Sequence, residues 1–464
     1  MATIINKKAK DVKIAYIGGG SRGWAWALMS DLVACEDMSG TVRLYDIDKE
    51  AAENNKIIGE KFNDAKGAVS RWDYVVSDTL AEALKGADFV IISIQPATFD
   101  EMESDVHEPE KYGIYQSVGD TVGAGGIVRT LRCAPMMEEI AFAVRDNCPN
   151  AWVINYTNPM TMCVKTLYRA FPQIKAFGCC HEVFATQKLL ATALEDIYGL
   201  KGVTREEVKV NPIGINHFTW LTSARYNEYN LFEVYKKFVD KYYESGYKED
   251  KEENWADRYW KRAERVKFDL FKRYGVIAAA GDRHLSEFCP GNWYLKDRKT
   301  VDEWMFAITD VAYRKEDLKN RKKKSEDLVS GAIQPEITPT GEDGVNQMRA
   351  LLGLHEMITN VNIPNKGQIP NLPLGAVVET NAIFRTDEVA PVFAGAIPKQ
   401  LYALIAHIVG EQEALDEAIA ERSLDKAFAV FAGSPQVRCS LSDARKLFDT
   451  MIENTKEYLK EYGV

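Results

Sequence analysis

The segment FGCCHEVF at 177–184 sets a thiol, an imidazole and a carboxylate side by side, as Cys180, His181 and Glu182, after a strand-like run. His217 stands in the apolar segment NPIGINHFTWL at 211–221. A thiolate with an imidazole suits a divalent transition metal, and two protein ligands leave positions open for substrate oxygens. The same pair also fits two blander roles, a hydrogen-bonded core histidine and a cysteine packed as a small hydrophobe. A third polar cluster, GDRHLSEF at 281–288, follows the apolar YGVIAAA and places Asp282, Arg283 and His284 in a row. It reads either as a general base beside an anion-binding arginine or as a turn with solvated charges.

Near the N-terminus, Gly18, Gly20 and Gly23 form G-x-G-x-x-G in GGGSRG, together with Ser21 and Arg22. The pattern follows a strand and opens a helix, the context in which it binds a dinucleotide. The glycines allow a tight turn and a close approach to a pyrophosphate, which then sits on the helix N-terminus. A second strand ends in Asp46, whose carboxylate can accept from a ribose diol and would repel a 2′-phosphate, which favours NAD over NADP. Ser93 ends the run DFVIISI at the carboxyl edge of the sheet, where ligands of such folds bind. The alternative is a glycine turn that binds no nucleotide.

The elements that must position these groups alternate. Strands are expected at 12–17, 42–46, 88–94 and 152–156, with helices at 24–34, 79–86 and 132–146. That order implies an α/β fold with a Rossmann-type parallel sheet, placed at 10–180. Residues 181–464 are expected to form a mixed α+β domain that carries substrate and metal. Within it, 232–274 reads as long solvated helices, 363–375 as loop, and 397–430 and 441–462 as amphipathic helices. The run RKEDLKNRKKKSED at 314–327 carries both signs and reads as an exposed helix or excursion rather than a binding patch.

Composition narrows the function classes. A chain of 464 residues is too long for one compact core, so two domains are expected. The net charge of −10 argues against nucleic-acid or anionic-membrane partners. No apolar run approaches the length of a membrane span, and the N-terminus has no secretory h-region. The 8 cysteines are scattered, which is not a disulfide framework and points to reduced thiols in the cytoplasm. The partners expected are a small-molecule substrate and further copies of the chain.

Seven pieces, in order, resemble glycoside hydrolase family 4: KIAYIGGGSRGW, VRLYDID, GDTVGAGGIVRTLR, NYTNPM, CHEVF, INHF and NLPLGAVVE. They cover the chain from about residue 12 to 380. The resemblance implies a lactate/malate dehydrogenase-like cofactor domain, NAD, a divalent metal, usually Mn2+, and a glycosidase outside two-carboxylate chemistry. In that family's route NAD would accept hydride from C3 of the sugar, the ketone would acidify the C2 proton, a base would remove it with the metal stabilising the enediolate, the C1 group would be eliminated, water would add and NADH would return the hydride. The family's metal ligands fall on Cys180 and His217, and its sugar-contacting asparagine on Asn158. The position after the metal cysteine, an aspartate acid in phospho-glucosidase members, is His181 here. The base is implied at Asp282, with Tyr274 and His284 as alternatives. CHEV resembles the α-galacturonidase subgroup, so an α-galacturonide is the implied substrate. Arg283 and His284 would then face its C6 carboxylate, and Glu182 a sugar hydroxyl or His284. The competing readings are an α-glucosidase, α-galactosidase or α-glucuronidase of the same family, a lactate- or malate-type dehydrogenase, and a non-catalytic NAD-binding regulator.

Overall fold

A computed structural model describes residues 2–248, 262–338 and 340–464. The first half alternates as expected. Strands β1 (Thr3–Ile5) and β2 (Lys8–Ile17) lead to α1 (Trp24–Val33), β3 (Met38–Tyr45), α2 (Lys49–Phe62), β4 (Trp72–Val76), α3 (Leu80–Leu84) and β5 (Phe89–Ile92). Helices α4 (Phe99–His107) and α5 (Gly123–Asn147) precede β6 (Trp152–Asn155), α6 (Met160–Ala170) and β7 (Lys175–Gly178). Six strands pair in parallel in the order β4-β3-β2-β5-β6-β7. The middle of the sheet is covered on both faces, which explains its near-continuous apolar strands. Along β2, Ile14 and Tyr16 enter one core with α1 and α2, while Ala15 and Ile17 enter another with α5 and α6.

The second half opens with α7 (Glu182–Tyr198), the hairpin β8 (Lys209–Ile215) and β9 (Phe218–Tyr226), β10 (Tyr229–Asn230) and α8 (Leu231–Tyr242). After α9 (Arg265–Tyr274), β11 (Ile277–Ala278), α10 (Asp282–Phe288) and α11 (Arg298–Glu303) comes the long α12 (Val311–Ser330). Helix α13 (Gly344–Leu351), strands β12 (Met357–Pro364), β13 (Val377–Arg385) and β14 (Glu388–Pro391), and helices α14 (Lys399–Ala420), α15 (Leu424–Gly433) and α16 (Leu441–Thr455) complete the chain.

The sheet does not stop at residue 180. It runs on antiparallel as β7-β12-β13-β8-β9-β10, joined at the single pair Gly178–Asn362. A Cβ on Gly178 would stand 2.3 Å from the Met160 sulfur and 3.2 Å from the Asn362 Cβ, so a side chain there would have to displace Met160. The chain also returns to its first half: Lys61 Nζ donates to the carbonyls of Leu328 (2.6 Å) and Val329 (2.8 Å), and Arg349 pairs with Asp37 at 2.6 Å.

The structure differs from the sequence reading in several elements. The expected helix 132–146 begins at Gly123. The stretch 397–430 is two helices, broken at Arg422, which takes a left-handed φ of 51°. The stretch 441–462 is helical to Thr455 and then continues as short 3-10 turns. Of 232–274, residues 249–261 lie outside the described residues. The charged run at 314–327 lies within α12. No helix among the described residues is long and apolar enough to cross a membrane.

Candidate active site

The polar residues converge where strands of the sheet end. The β8–β9 turn holds Asn216 and His217, the latter at a left-handed φ of 64°. Helix α10 carries His284, and its ring stacks on His217 with centroids 3.7 Å apart and planes 28° apart. Asp120 enters from the segment before α5. One potential ligand atom from each of Asp120, His217 and His284 lies within 4.8 Å of the others, the one such group among the described residues. Thr121 Oγ1 lies 3.2 Å from His217 Nδ1 and donates to Asp120 at 2.6 Å. Asn158 Nδ2 donates to the other Asp120 oxygen at 3.4 Å.

Charge and burial shape this group. Burial, reinforced by the neighbouring His284, pushes His217 down to about 3, which leaves a neutral imidazole able to ligate a cation. Burial also lowers His284. Burial alone would raise Asp120, but His217, Arg129 and His284 outweigh it and hold the carboxyl below its ordinary value.

Cys180 and His284 are placed differently from one another. Cys180 lies outside the group of three; its thiol meets the side chain of Asn216, the neighbour of His217, and burial pushes it well up. His284, expected to contact the substrate carboxylate, sits in the ligand group, because the first turn of α10 aims it at the β8–β9 turn. Sequence reasoning assigned no role to Asp120, although an acid three residues before a glycine-rich helix start was its signal. It also passed over Glu379, which accepts from Thr219 (2.5 Å) and Asn360 (2.8 Å) and which burial raises to about 7.

Around the group lie the remaining expected residues. Glu182 accepts from Gly281 N at 2.7 Å and approaches the Nε2 atoms of His284 (3.7 Å) and His181 (3.9 Å). His181 is held on its other nitrogen by Glu342 at 3.2 Å, a hydrogen bond that raises its pKa. Asp282 is fully buried; one oxygen accepts from Lys267 N at 3.1 Å and the other accepts nothing. Burial, then the nearby Glu264, raises it to about 7. Tyr274 packs edge-on to Trp220 instead. Arg283 donates to Ser117 O (3.1 Å) and Thr309 Oγ1 (2.7 Å), and burial beside Arg314 lowers it to about 10. Glu287 accepts from Val118 N and Gly119 N, both at 2.7 Å.

The glycine turn is built as a cradle. Gly18 takes φ +91° against Ser93, whose carbonyl oxygen would stand 2.1 Å from an added Cβ. Asp46 stitches the turn by accepting from Gly20 N (2.8 Å) and Asp48 N (2.9 Å). Arg22 pairs with Asp48 at 3.1 Å, and Ser21 N donates to Gly18 O at 2.9 Å. Gly23 opens α1 with no side-chain cap, so the first N–H groups of that helix face outward, as a diphosphate requires.

A cation fits the other end. Its donor set is one carboxylate and two neutral imidazoles, and the buried Asn158 Oδ1 and His284 Nδ1 have no hydrogen-bond partner. The two sites are tied together: Gly18 packs on Ser93, the next residue Ile94 donates its N–H to Thr157 Oγ1 (2.9 Å), and Asn158 reaches Asp120.

Comparison with known proteins identifies the family. The model of the family 4 glycosyl hydrolases matches residues 13–196, and that of their C-terminal domain matches 212–437. The chain is 60% identical over 457 residues to the alpha-galacturonidase of Thermoanaerobacterium saccharolyticum, covering 98% of both. A solved Bacillus subtilis chain is 49% identical with a TM-score of 0.91, covering 95% of this chain and 100% of that one. The 6-phospho-beta glucosidase of Thermotoga maritima, solved with manganese, NAD+ and glucose-6-phosphate, shares the fold at 22% identity, with a TM-score of 0.75 and coverage of 96% and 99%.

Proposed function

This chain belongs to glycosyl hydrolase family 4, and from that premise we propose that it cleaves α-linked galacturonides with the help of NAD and a divalent metal, Mn2+ foremost. The observation that carries the reading is the convergence of a diphosphate cradle and a buried cation group through Ser93, Thr157 and Asn158. A lactate- or malate-type dehydrogenase needs the first and not the second. The full-length alpha-galacturonidase relatives support the substrate.

Bound there, NAD would supply a reversible hydride acceptor for C3 of the sugar and the metal would supply a Lewis acid that makes the C2 proton more acidic. His217, His284 and Asp120 would hold the metal, with Cys180 as a further ligand beside Asn216. Gly18, Gly20, Ser21, Arg22 and Gly23 would cradle the diphosphate, with Asp46 at the ribose and Ser93 beneath. Asp282, whose buried Oδ2 is unengaged, is the proposed base for the C2 proton. His181, oriented by Glu342, would protonate the leaving group. Asn158 and Glu182 would position sugar hydroxyls, and Arg283 would meet the C6 carboxylate with charge-assisted hydrogen bonds. A cytoplasmic site of action fits the 8 free thiols, and assembly into a homo-oligomer is part of the same reading.

The test compares kcat/KM on matched α-galacturonide and α-galactoside substrates with NAD, Mn2+ and a thiol reductant. Strong preference for the uronide is expected. Equal efficiency on both would remove the substrate assignment, and turnover without NAD or metal would remove the mechanism.

A further inference from the structure

The charged run at 314–327 finds an unexpected place. In the sheet, β2 lies between β5 and β3, so the glycine turn that ends β2 is flanked by α4, which follows β5, and α2, which follows β3. Helix α12 bridges those flanks. At its start, Lys315 Nζ pairs with Asp100 (2.6 Å) and Glu103 (2.5 Å) of α4. At its end, Lys61 of α2 donates to the last-turn carbonyls of Leu328 (2.6 Å) and Val329 (2.8 Å). The helix therefore crosses over the carboxyl end of β2.

Midway, Arg321 reaches the glycine turn itself. Its Nη1 donates to Arg22 O at 2.9 Å, and the same atom would stand 2.5 Å from a Cβ on Gly23. Asp317 accepts from its Nε at 2.7 Å and fixes the planar fork from within the helix. Among the described residues no hydrogen bond engages Nη2, and the side chain keeps 49% exposure. A guanidinium held beside an uncapped helix N-terminus, with one edge open, matches the charge and geometry of a diphosphate ester.

We propose that α12 roofs the dinucleotide crevice and that Arg321 is a ligand of the cofactor's diphosphate. The inference rests on the reading above that NAD occupies the glycine turn. It also has a chemical rationale. A cofactor that takes a hydride and returns it within one turnover is regenerated in place, so a roof that slows its release costs no cycle.

Binding of NAD, of ADP-ribose and of phosphate-free adenosine to the full-length protein tests this, in wild type, R321Q and R321K. Arg321→Gln should weaken NAD and ADP-ribose equally, by roughly tenfold, the scale of one charge-assisted hydrogen bond. Adenosine should bind the variant as it binds wild type. Arg321→Lys should fall between, since it keeps the charge and loses the fork. NAD affinity unchanged in R321Q would overturn the proposal. So would a loss shared by adenosine, because Arg321 would then only hold the turn in shape. Failure of wild type to bind NAD at all would instead refute the cofactor assignment on which the proposal stands.

Discussion

His284 lies flat on His217, ring centroids 3.7 Å apart, and burial lowers the pKa of both. Two stacked cationic imidazoles would repel each other, so this packing suits the neutral rings that a metal needs. His217→Ala and His284→Ala should each reduce metal affinity by at least roughly tenfold, as should Asp120→Asn. Cys180→Ser should do the same if the thiol closes the shell beside Asn216. Metal analysis after dialysis reads all four, and wild-type metal content in His284→Ala would remove that residue from the ligand group.

The glycine turn has no room for a side chain at Gly20. An added Cβ would stand 2.7 Å from the Ala51 Cβ and 2.9 Å from Asp46 Oδ2. Gly20→Val should therefore open the turn and cost more than roughly tenfold in NAD affinity while circular dichroism stays native. Unaltered NAD binding in a folded variant would place the cofactor elsewhere.

Glu287 gives a stability test with a definite sign. Burial raises its carboxyl from 4.5 to about 8. Between those values the folded state holds a proton that the unfolded state has lost, so stability falls as pH rises through the window. Glu287→Gln keeps an oxygen for the Val118 and Gly119 N–H groups and cannot ionise. Thermal melts should show the variant gaining on wild type from pH 5 to 8. A gap that stays constant with pH would contradict the raised pKa.

Arg283 should decide the substrate. It already donates to Ser117 O and Thr309 Oγ1, so a neutral sugar forgoes only the added charge-assisted contact to a C6 carboxylate, which implies roughly a 10- to 100-fold preference for the uronide. Arg283→Ala should lose most of that preference, chiefly through activity on the galacturonide. A preference that survives the substitution would keep the substrate and reassign the contact.

Much of this was legible in the sequence, for identifiable reasons. The strand–glycine turn–helix junction is local, so GGGSRG with Asp46 located the cradle before any tertiary contact was known. His217 was legible as an imidazole in an apolar segment. What sequence could not show is long-range. Asp120 meets His217 only because the segment before α5 folds onto the β8–β9 turn, and His284 joins them through the orientation of α10. The antiparallel extension of the sheet depends on one close approach at Gly178, with no periodic signal to announce it. The run at 314–327 read as solvated charge because its composition is almost wholly polar; its partners, Arg22, Asp100 and Glu103, lie more than two hundred residues away in sequence.

The central claim is that the glycoside bond breaks by oxidation and elimination, and the fate of the C2 hydrogen tests it most directly. An α-galacturonide hydrolysed to completion in D2O with NAD and Mn2+, then examined by NMR, should release galacturonic acid carrying deuterium at C2. Product that retains protium at C2 would mean direct displacement at C1 and would contradict the account.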